Sequence, residues 1–331
     1  MINPYSNIDW TAIDYVQSCS HEHCESQSQF NKLVESSGIR HIAISNYYPS
    51  APVYPLSNMF SYGIPVDAIG CPNAEHHNFS AFGAPYGSLH INGIGSFYIS
   101  GSQRGETPVG CDRESIFSVI PKILKSLQYE DGGGVTINHP TWTGLTFKQT
   151  CALLDFDPRV LGIEFFNATS QEDGGRGWAI ELWDDVLLTG RKCFGFAVAD
   201  HEGQGTADWR GRNILLVDET TEHSCLQAYR NGAFYGQINH TTLAFDEISL
   251  SGSTYTVTAS EADTINIIID GESTSYENTS VSITIPSDAT YVRAEAHTEL
   301  DSIYSNPIIF KEYIAPYTYN SMASKILLFM S

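Results

Sequence analysis

Short apolar runs and helical repeats alternate along roughly the first 240 residues. Six of the runs are almost continuously apolar or β-branched, which is typical of strands that are covered on both faces. The predicted strands are residues 15–19, 39–45, 135–138, 160–166, 193–199 and 213–217. Strands that alternate with helices predict a mainly parallel sheet, either open or closed into a barrel.

Helical spacing is clearest at residues 112–129, where apolar side chains recur at i, i+3, i+4 and i+7. Pro121 interrupts this segment, so we expect the helix to kink there or to restart. Further helices are predicted at 30–35, 178–188 and 222–230. Each of these segments is followed by a glycine, which suits the left-handed end of a helix.

The pattern changes near residue 240. From residue 243 to 307 polar and apolar residues alternate in the runs TYTVTAS, TINIIIDG, SVSITIPS and YVRAEAHT. This period of two, with turn residues between the runs, predicts at least four strands in a small antiparallel sandwich. We therefore expect two domains, residues 1–240 and residues 241–331, with the apolar tail SKILLFMS docked on the body.

Charge and cysteine content narrow the class of protein. The chain has 331 residues, with 17 Lys and Arg against 38 Asp and Glu, and a net charge of −21. Such acidity opposes a role in coating nucleic acids and suits the capture of cations. The seven cysteines form no CxxC pair, the N-terminus does not resemble a signal peptide, and no apolar run could cross a bilayer. The expectation is a cytoplasmic protein without a membrane partner, and the oligomeric state is left open.

Histidines next to carboxylates mark the places where strands end. The segment CSHEHCE follows the first strand and contains His21 and His23, whose side chains point the same way on an extended chain. Two such imidazoles can converge on one ion. The segment NAEHHNF brings in Glu75, and His90 follows it at a short distance.

Two later strands end in the same way, at His139 in TINHP and at Asp200 with His201 in VADHE. Each has an ordinary explanation, since His139 could be a core histidine and Asp200 a helix N-cap. Four such stretches at successive strand ends favour an active site, because α/β barrels build theirs at that edge. Nitrogen and carboxylate ligands without paired cysteines favour a catalytic metal centre that generates hydroxide.

The ordered set of HxH, Glu with a later His, strand–NHP and a strand ending in Asp and His resembles the PHP (polymerase and histidinol phosphatase) superfamily. The resemblance covers roughly residues 15–235 and implies a distorted (β/α)7 barrel, here followed by the β-sandwich. It also implies phosphoesterase activity with two or three divalent ions, Mn, Fe or Zn. The metal ligands implied are His21, His23, Glu75, His90, His139, Asp200 and His201. His90 and His201 would complete the coordination or donate a proton to the leaving alkoxide.

The sequence departs from the family pattern at three places. The first motif continues as CESQSQ where the family has Ser-Asp, and Asp200 directly precedes His201 where the family has a residue between them. Asn46 and Tyr47 stand where the family has Thr-Asp-His. We therefore expect two tightly bound ions and a Tyr47 hydroxyl that donates to a substrate oxygen, because a phenol with a pKa near 10 binds metals poorly. The residues that could replace a missing ligand are Glu25, His76 and His77.

Arginines in glycine-rich loops are candidates for bidentate contacts with phosphate. They are Arg104, Arg176, Arg210 and Arg212, of which Arg210 is expected to assist catalysis. Glu164 either lines the same face or makes a structural hydrogen bond. The predicted function is hydrolysis of a small phosphorylated substrate. The alternatives are an amidohydrolase-type metal hydrolase and a non-catalytic barrel that binds a sugar or a phosphorylated ligand.

Overall fold

The computed structural model describes residues 1–24, 26–45, 68–77, 89–98, 115–201, 210–239 and 242–314. They form a mixed α/β structure with several sheets. Its helices are α1 (Gln27–Ser37), α2 (Ile116–Lys125), α3 (Pro140–Thr143), α4 (Phe147–Leu154), α5 (Ala168–Glu172), α6 (Ile180–Leu188) and α7 (Glu222–Asn231). None of the helices in these ranges is long and apolar enough to cross a membrane.

The described strands lie on both sides of residue 240 along the chain. Those before it are β1 (Asp14–Glu22), β2 (His41–Ile44), β3 (Ile69–Gly70), β4 (Glu75–His76), β5 (Ile91–Ile94), β6 (Gly134–Ile137), β7 (Val160–Asn167), β8 (Phe194–Val198), β9 (Gly211–Val217) and β10 (Phe234–Ile238). Those after it are β11 (Glu247–Ser251), β12 (Thr254–Thr258), β13 (Thr264–Ile269), β14 (Glu272–Tyr276), β15 (Ser280–Thr284), β16 (Tyr291–His297), β17 (Ser302–Ser305) and β18 (Ile308–Ile309). All six strands predicted before residue 240 are present.

The described strands do not close into one barrel. They form a ten-stranded sheet ordered β14-β13-β16-β17-β10-β9-β1-β2-β3 with β18 beside β16, a five-stranded sheet β4-β5-β6-β7-β8, and a three-stranded sheet β11-β12-β15. The physical reason lies at β9, which returns after β8 and pairs antiparallel with β1, with Val16 opposite Leu215. It thereby occupies the edge of β1 from Asp14 to Ser18, while Glu22 at the end of β1 forms a parallel bridge with Asp200 after β8.

Backbone hydrogen bonds nevertheless connect the two large sheets, from the carboxyl ends of β1 and β2 to the carboxyl end of β8 and the start of β4. The amide of His23 donates to the carbonyl of Asp200 at 3.0 Å, and the amide of Asp200 donates to the carbonyl of His21 at 3.0 Å. On the other side, the amide of Glu75 donates to the carbonyl of Ser45 at 2.8 Å. The ends of β1, β2, β4 and β8 therefore meet in one place.

The helices follow the predicted segments, with local corrections at their ends. Pro121 lies inside α2, where it removes a backbone hydrogen bond without ending the helix. Helix α7 ends at Gly232, which has a φ of 75° as the glycine predicts. Thr146 begins the unpredicted helix α4 by forming a capping box with Gln149.

The strands after residue 240 do not form a self-contained sandwich. Strand β17 pairs with β10, with Tyr235 opposite Ser305, so the ten-stranded sheet runs from the first part of the chain into the second. Its later strands pack on the three-stranded sheet through one apolar cluster that also includes Ile214 and Leu216 of β9. The division at residue 240 stays a prediction, and the tail at 324–331 lies outside the described residues.

Candidate metal centre

His21 and His23 come together at the end of β1, where the pairing of β1 with β2 shifts register between Cys19 and Glu22. The Nδ1 of His21 lies 2.7 Å from Oε1 of Glu164. Since a carboxylate accepts, Nδ1 carries the proton of this contact, so Nε2 is the nitrogen that would bind a cation. This carboxylate–histidine pairing is typical of metal-binding imidazoles.

Two groups of buried side chains have the spacing of metal ligands. The first consists of His21, His23 and Asp200, and the second of Glu75, His90 and His139. Within each group the ligand atoms all lie within 4.8 Å of one another. The structure thus brings together six of the seven side chains that the sequence assigns to the metal centre.

Glu75 contacts both groups. Its Oε1 lies 2.8 Å from Nδ1 of His90 and 3.3 Å from Nε2 of His139, while its Oε2 lies 3.1 Å from Nε2 of His23. The side-chain amide of Asn138 donates to Oε1 at 3.1 Å. A carboxylate in this position can serve both groups at once.

Glu164 and Asn167, both on β7, hold the two ligand groups in place through hydrogen bonds. Oε2 of Glu164 accepts the backbone N–H of His139 at 2.7 Å and the Asn167 amide at 2.9 Å. The same amide lies 3.1 Å from Oδ2 of Asp200. Sequence patterns left the role of Glu164 open and missed Asn138 and Asn167. Asn138 ends a predicted strand just before His139, and Asn167 directly follows another predicted strand.

The backbone at His139 and Asp200 is left-handed, with φ values of 27° and 65°. Non-glycine residues seldom adopt such angles, at a cost on the order of 1–3 kcal/mol each. The backbone hydrogen bonds of both residues, to Glu164 and to the ends of β1, hold these conformations. Two candidate ligands are therefore held in strained conformations that aim their side chains at one point.

The electrostatics of the cluster couple imidazoles to carboxylates. Burial alone would lower the pKa of His21, but Asp200, Glu164 and Glu75 raise it well above its ordinary value. Burial likewise opposes ionisation of Glu75, yet His90 and His21 hold its pKa well below the ordinary value. The site therefore stabilises carboxylate anions that lie close to positive charge.

The residues fit a divalent cation. Oδ1 of Asp200 and Nδ1 of His139 are both buried and make no hydrogen bond to any described residue, and Oδ1 faces the imidazoles of the first group. Buried polar atoms without a hydrogen bond are costly unless another charge satisfies them. A set of nitrogen and carboxylate donors suits Mn, Fe or Zn.

The remaining predicted histidines lie at different distances from the centre. The ring of His201 stacks on that of His23 at 3.9 Å, and its Nε2 lies 3.6 Å from Oδ1 of Asp200. The His77 ring lies 5.4 Å from that of His90. His76 stacks on Tyr98 instead, because it alternates with Glu75 along β4 and faces the other side.

The arginines predicted to contact phosphate lie in different surroundings. Arg212 is buried within β9 and donates to Gln17 at 2.7 Å, so its assignment to a loop that contacts phosphate is wrong. Arg210 pairs with Glu172 at the end of α5. Its catalytic role and those of the site residues stay predictions. Four predicted residues lie outside the described residues, namely Glu25, Asn46, Tyr47 and Arg104.

Comparisons with known proteins give one structural likeness. No protein-family model matches the chain, and no curated protein matches it. A solved structure of a two-domain protein containing a predicted PHP-like metal-dependent phosphoesterase, from Bacteroides vulgatus, is 13% identical. The match covers 95% of this chain and 90% of that chain, with a TM-score of 0.48. The function proposed for this chain rests on its own residues.

Proposed function

We propose that the chain is a metal-dependent hydrolase that cleaves phosphoesters of small molecules. The observation that carries the proposal is Glu75, whose two oxygens contact His23 on one side and His90 and His139 on the other. A carboxylate shared between two groups of nitrogen and oxygen ligands is the arrangement that a site with two metal ions needs. The ions proposed are two or three of Mn, Fe or Zn.

The residues of the two groups would hold these ions. His21, His23 and Asp200 form one set, and His90 with His139 form the other, with Glu75 between them. Ions bound there would lower the pKa of a water from 15.7 to about 7 and would neutralise phosphoryl oxygens in an in-line displacement. This is the chemistry that hydrolysis of a phosphoester requires at neutral pH.

The neighbouring side chains keep the ligands oriented and face the substrate. Glu164 fixes the tautomer of His21 by accepting from Nδ1, and Asn167 restrains Asp200. His201 is 29% exposed at the rim, and burial together with the charge of His23 lowers its pKa to about 4. Neutral at pH 7, His201 suits coordination, as does His90 in the second ligand group.

The proposal includes the finer fold that the family resemblance implies. The supports are the backbone hydrogen bonds that join β1 to Asp200 and β4 to Ser45, because they complete a ring of strand ends around the site. In this description residues 1–240 form a distorted (β/α)7 barrel that opens where β9 inserts beside β1. The later strands belong to two sheets that pack on each other, and one of these sheets continues from β10 of the barrel.

The test combines metal analysis with two substrates. Protein incubated with Mn, Fe or Zn should retain at least one ion per chain and should hydrolyse 4-nitrophenyl phosphate in preference to an N-acyl amino acid. Glu75→Gln should lose both metal and turnover, because the amide cannot bridge as an anion. Glu181→Gln, an exposed change in α6, serves as the matched control.

Three results would contradict the proposal. Preference for the N-acyl substrate would indicate an amidohydrolase-type enzyme. Retained metal without either activity would indicate a binding protein for a sugar or a phosphorylated ligand. Failure to retain any of the three metals would remove the basis of the proposal altogether.

A further inference from the structure

An indole forms the wall beside the second ligand group. The ring of Trp142, in α3, lies 5.1 Å from that of His139 in an edge-on arrangement and 5.8 Å from that of His90. Its N–H donates to Oδ2 of Asp173 at 3.2 Å. Trp142 is partly exposed, so it belongs both to the cluster and to the surface around it.

Arg176 lies against this indole. Its guanidinium carbon is 5.8 Å from the centroid of the Trp142 ring, and its Nη1 donates to the Trp142 carbonyl at 3.4 Å. The side chain is exposed, and among the described residues no carboxylate lies within ion-pairing distance of it. Arg159 and Arg191, in contrast, are each fully engaged by a neighbouring aspartate.

The loop that carries Arg176 is fixed to the same residue that restrains the metal centre. The carbonyl of Gly177 accepts the amide of Asn167 at 3.0 Å, and the Gly177 amide donates to Gln171 at 3.2 Å. A Cβ at position 177 would lie 2.3 Å from the Asn167 carbonyl, so the close approach requires glycine. Because Asn167 also bonds to Asp200, the backbone beside Arg176 is held at a defined place relative to the cluster.

The net charge of the chain indicates a role for the Arg176 guanidinium. The chain carries a net charge of −21, so an anionic substrate needs a local positive group to approach. A guanidinium fork matches the geometry of carboxylate and phosphate. Arg176 contacts the indole of Trp142, and this indole contacts His139 and His90. The guanidinium therefore lies beside the ligand cluster rather than within it.

We propose that Arg176, supported by Trp142, selects phosphorylated substrates that carry a second anionic group, a carboxylate or another phosphate. The inference rests on the proposed function, since it assumes that the phosphoryl group binds at the His/Asp/Glu cluster. The second anion then lies over the rim and accepts from the guanidinium. Arg176 is thus a residue that determines specificity and takes no part in breaking the ester bond.

The test measures binding of two probes that differ by one anionic group. Isothermal titration of Mn-loaded protein with phenylphosphonate and with 4-carboxyphenylphosphonate, whose P–C bonds the proposed hydrolase cannot cleave, gives a ratio of affinities. We expect the wild type to favour the carboxylated probe about tenfold, the equivalent of one charge-assisted hydrogen-bonded pair. Arg176→Gln should reduce this ratio to near one. Arg40→Gln, an exposed arginine at the amino end of β2, should keep the wild-type ratio.

Each outcome decides the inference. A ratio that falls only in Arg176→Gln, with metal content equal to that of the wild type, supports it. An equal loss for both probes would place Arg176 on the shared phosphoryl group and overturn it, as would an unchanged ratio or a wild type that binds neither probe. Turnover of 4-nitrophenyl phosphate is measured in parallel. If no turnover is found but the ratio of affinities still depends on Arg176, the hydrolase proposal fails and the site is a binding site for a compound with two anionic groups.

Discussion

Two buried clusters of charged residues contrast within this molecule. One is the candidate metal centre, and the other surrounds Arg293 of β16, which is 1% exposed. The guanidinium donates to both oxygens of Asp184 at 2.8 Å and to Glu295 at 2.5 Å. Burial opposes the charge of Glu295, but His297 and Arg293 lower the pKa of its carboxyl to about 2.

The difference lies in where the positive charge comes from. Around Arg293 the chain supplies its own permanent cation, and that cation satisfies the buried carboxylates. At the metal centre the described contacts of Glu75, Glu164 and Asp200 are with imidazoles, amides and backbone N–H groups. The first cluster is complete as folded, whereas the second has the ligands for a cation that must come from solution.

The largest expected effect is the loss of metal and activity when two histidines of the candidate metal centre are replaced. Replacing His21 and His23 with alanine leaves Asp200 as the sole ligand of the first group, so bound metal should fall and phosphatase activity should be abolished. Metal analysis and 4-nitrophenyl phosphate turnover measure this, with circular dichroism as the check on folding. His223→Ala, which removes an exposed imidazole paired with Asp131, is the matched control. Full activity in the double variant would exclude the assigned site.

Breaking the complete cluster should affect stability and leave metal content unchanged. Arg293→Met leaves Asp184 and Glu295 largely buried without their cation, which should cost about 3–5 kcal/mol in the free energy of unfolding. Arg159→Met breaks a partly exposed pair and should cost less than about 1 kcal/mol. Urea denaturation compares the two variants. Similar losses in the free energy of unfolding would mean that the Arg293 cluster stabilises the fold no more than a surface ion pair does.

Adding a cation to the incomplete cluster should stabilise the fold. Mn²⁺ at about 100 times its dissociation constant is expected to add about 2.7 kcal/mol, which raises the melting temperature by several degrees. Chelation should reverse the shift. The same increment is expected in Arg293→Met, because the described partners of the two clusters differ. A shift that disappears in this variant would show that the clusters are coupled.

The buried imidazole of His41 sharpens the comparison, because no carboxylate of the described residues compensates it. His41 lies 2.8 Å from the Ser18 hydroxyl, and burial lowers its pKa to about 3. The unfolded chain, with an ordinary value near 6.5, then binds more protons, so stability is lost as the pH falls from about 6.5 towards 3. His41→Gln should lose about 2 kcal/mol less between pH 6.5 and 4.5 in urea denaturation. A pH dependence equal to that of the wild type would assign the acid sensitivity to other groups.

The smallest effect concerns Tyr47, which lies outside the described residues. We predict that Tyr47→Phe lowers turnover roughly fivefold, the cost of one hydrogen bond to the substrate, with two bound ions as in the wild type. Tyr313→Phe, next to Arg191, is the control. A crystal structure with three fully occupied ions and Tyr47 in the core would contradict this role.

Local patterns predicted the strand positions and most of the candidate ligands. His21 and His23 could be paired because alternation along a strand places them on one face, and the carboxyl ends of strands converge in α/β sheets. The division into sheets could not be predicted, because β1 pairs with β9 across nearly 200 residues and no local signal records that choice. Glu164 remained ambiguous and Asn167 was missed for a related reason, since their partners come from other strands.

The pairing of β10 with β17 determines how this chain can be divided in the laboratory. A fragment that ends at residue 240 would leave β10 as an unpaired edge and would uncover Tyr235, Ile214 and Leu216, all of which lie in the apolar cluster shared with the later strands. Exposed edges with apolar faces template association between copies. A truncated protein should therefore aggregate although every candidate metal ligand is still present, and experiments on the site need a chain that includes the later strands.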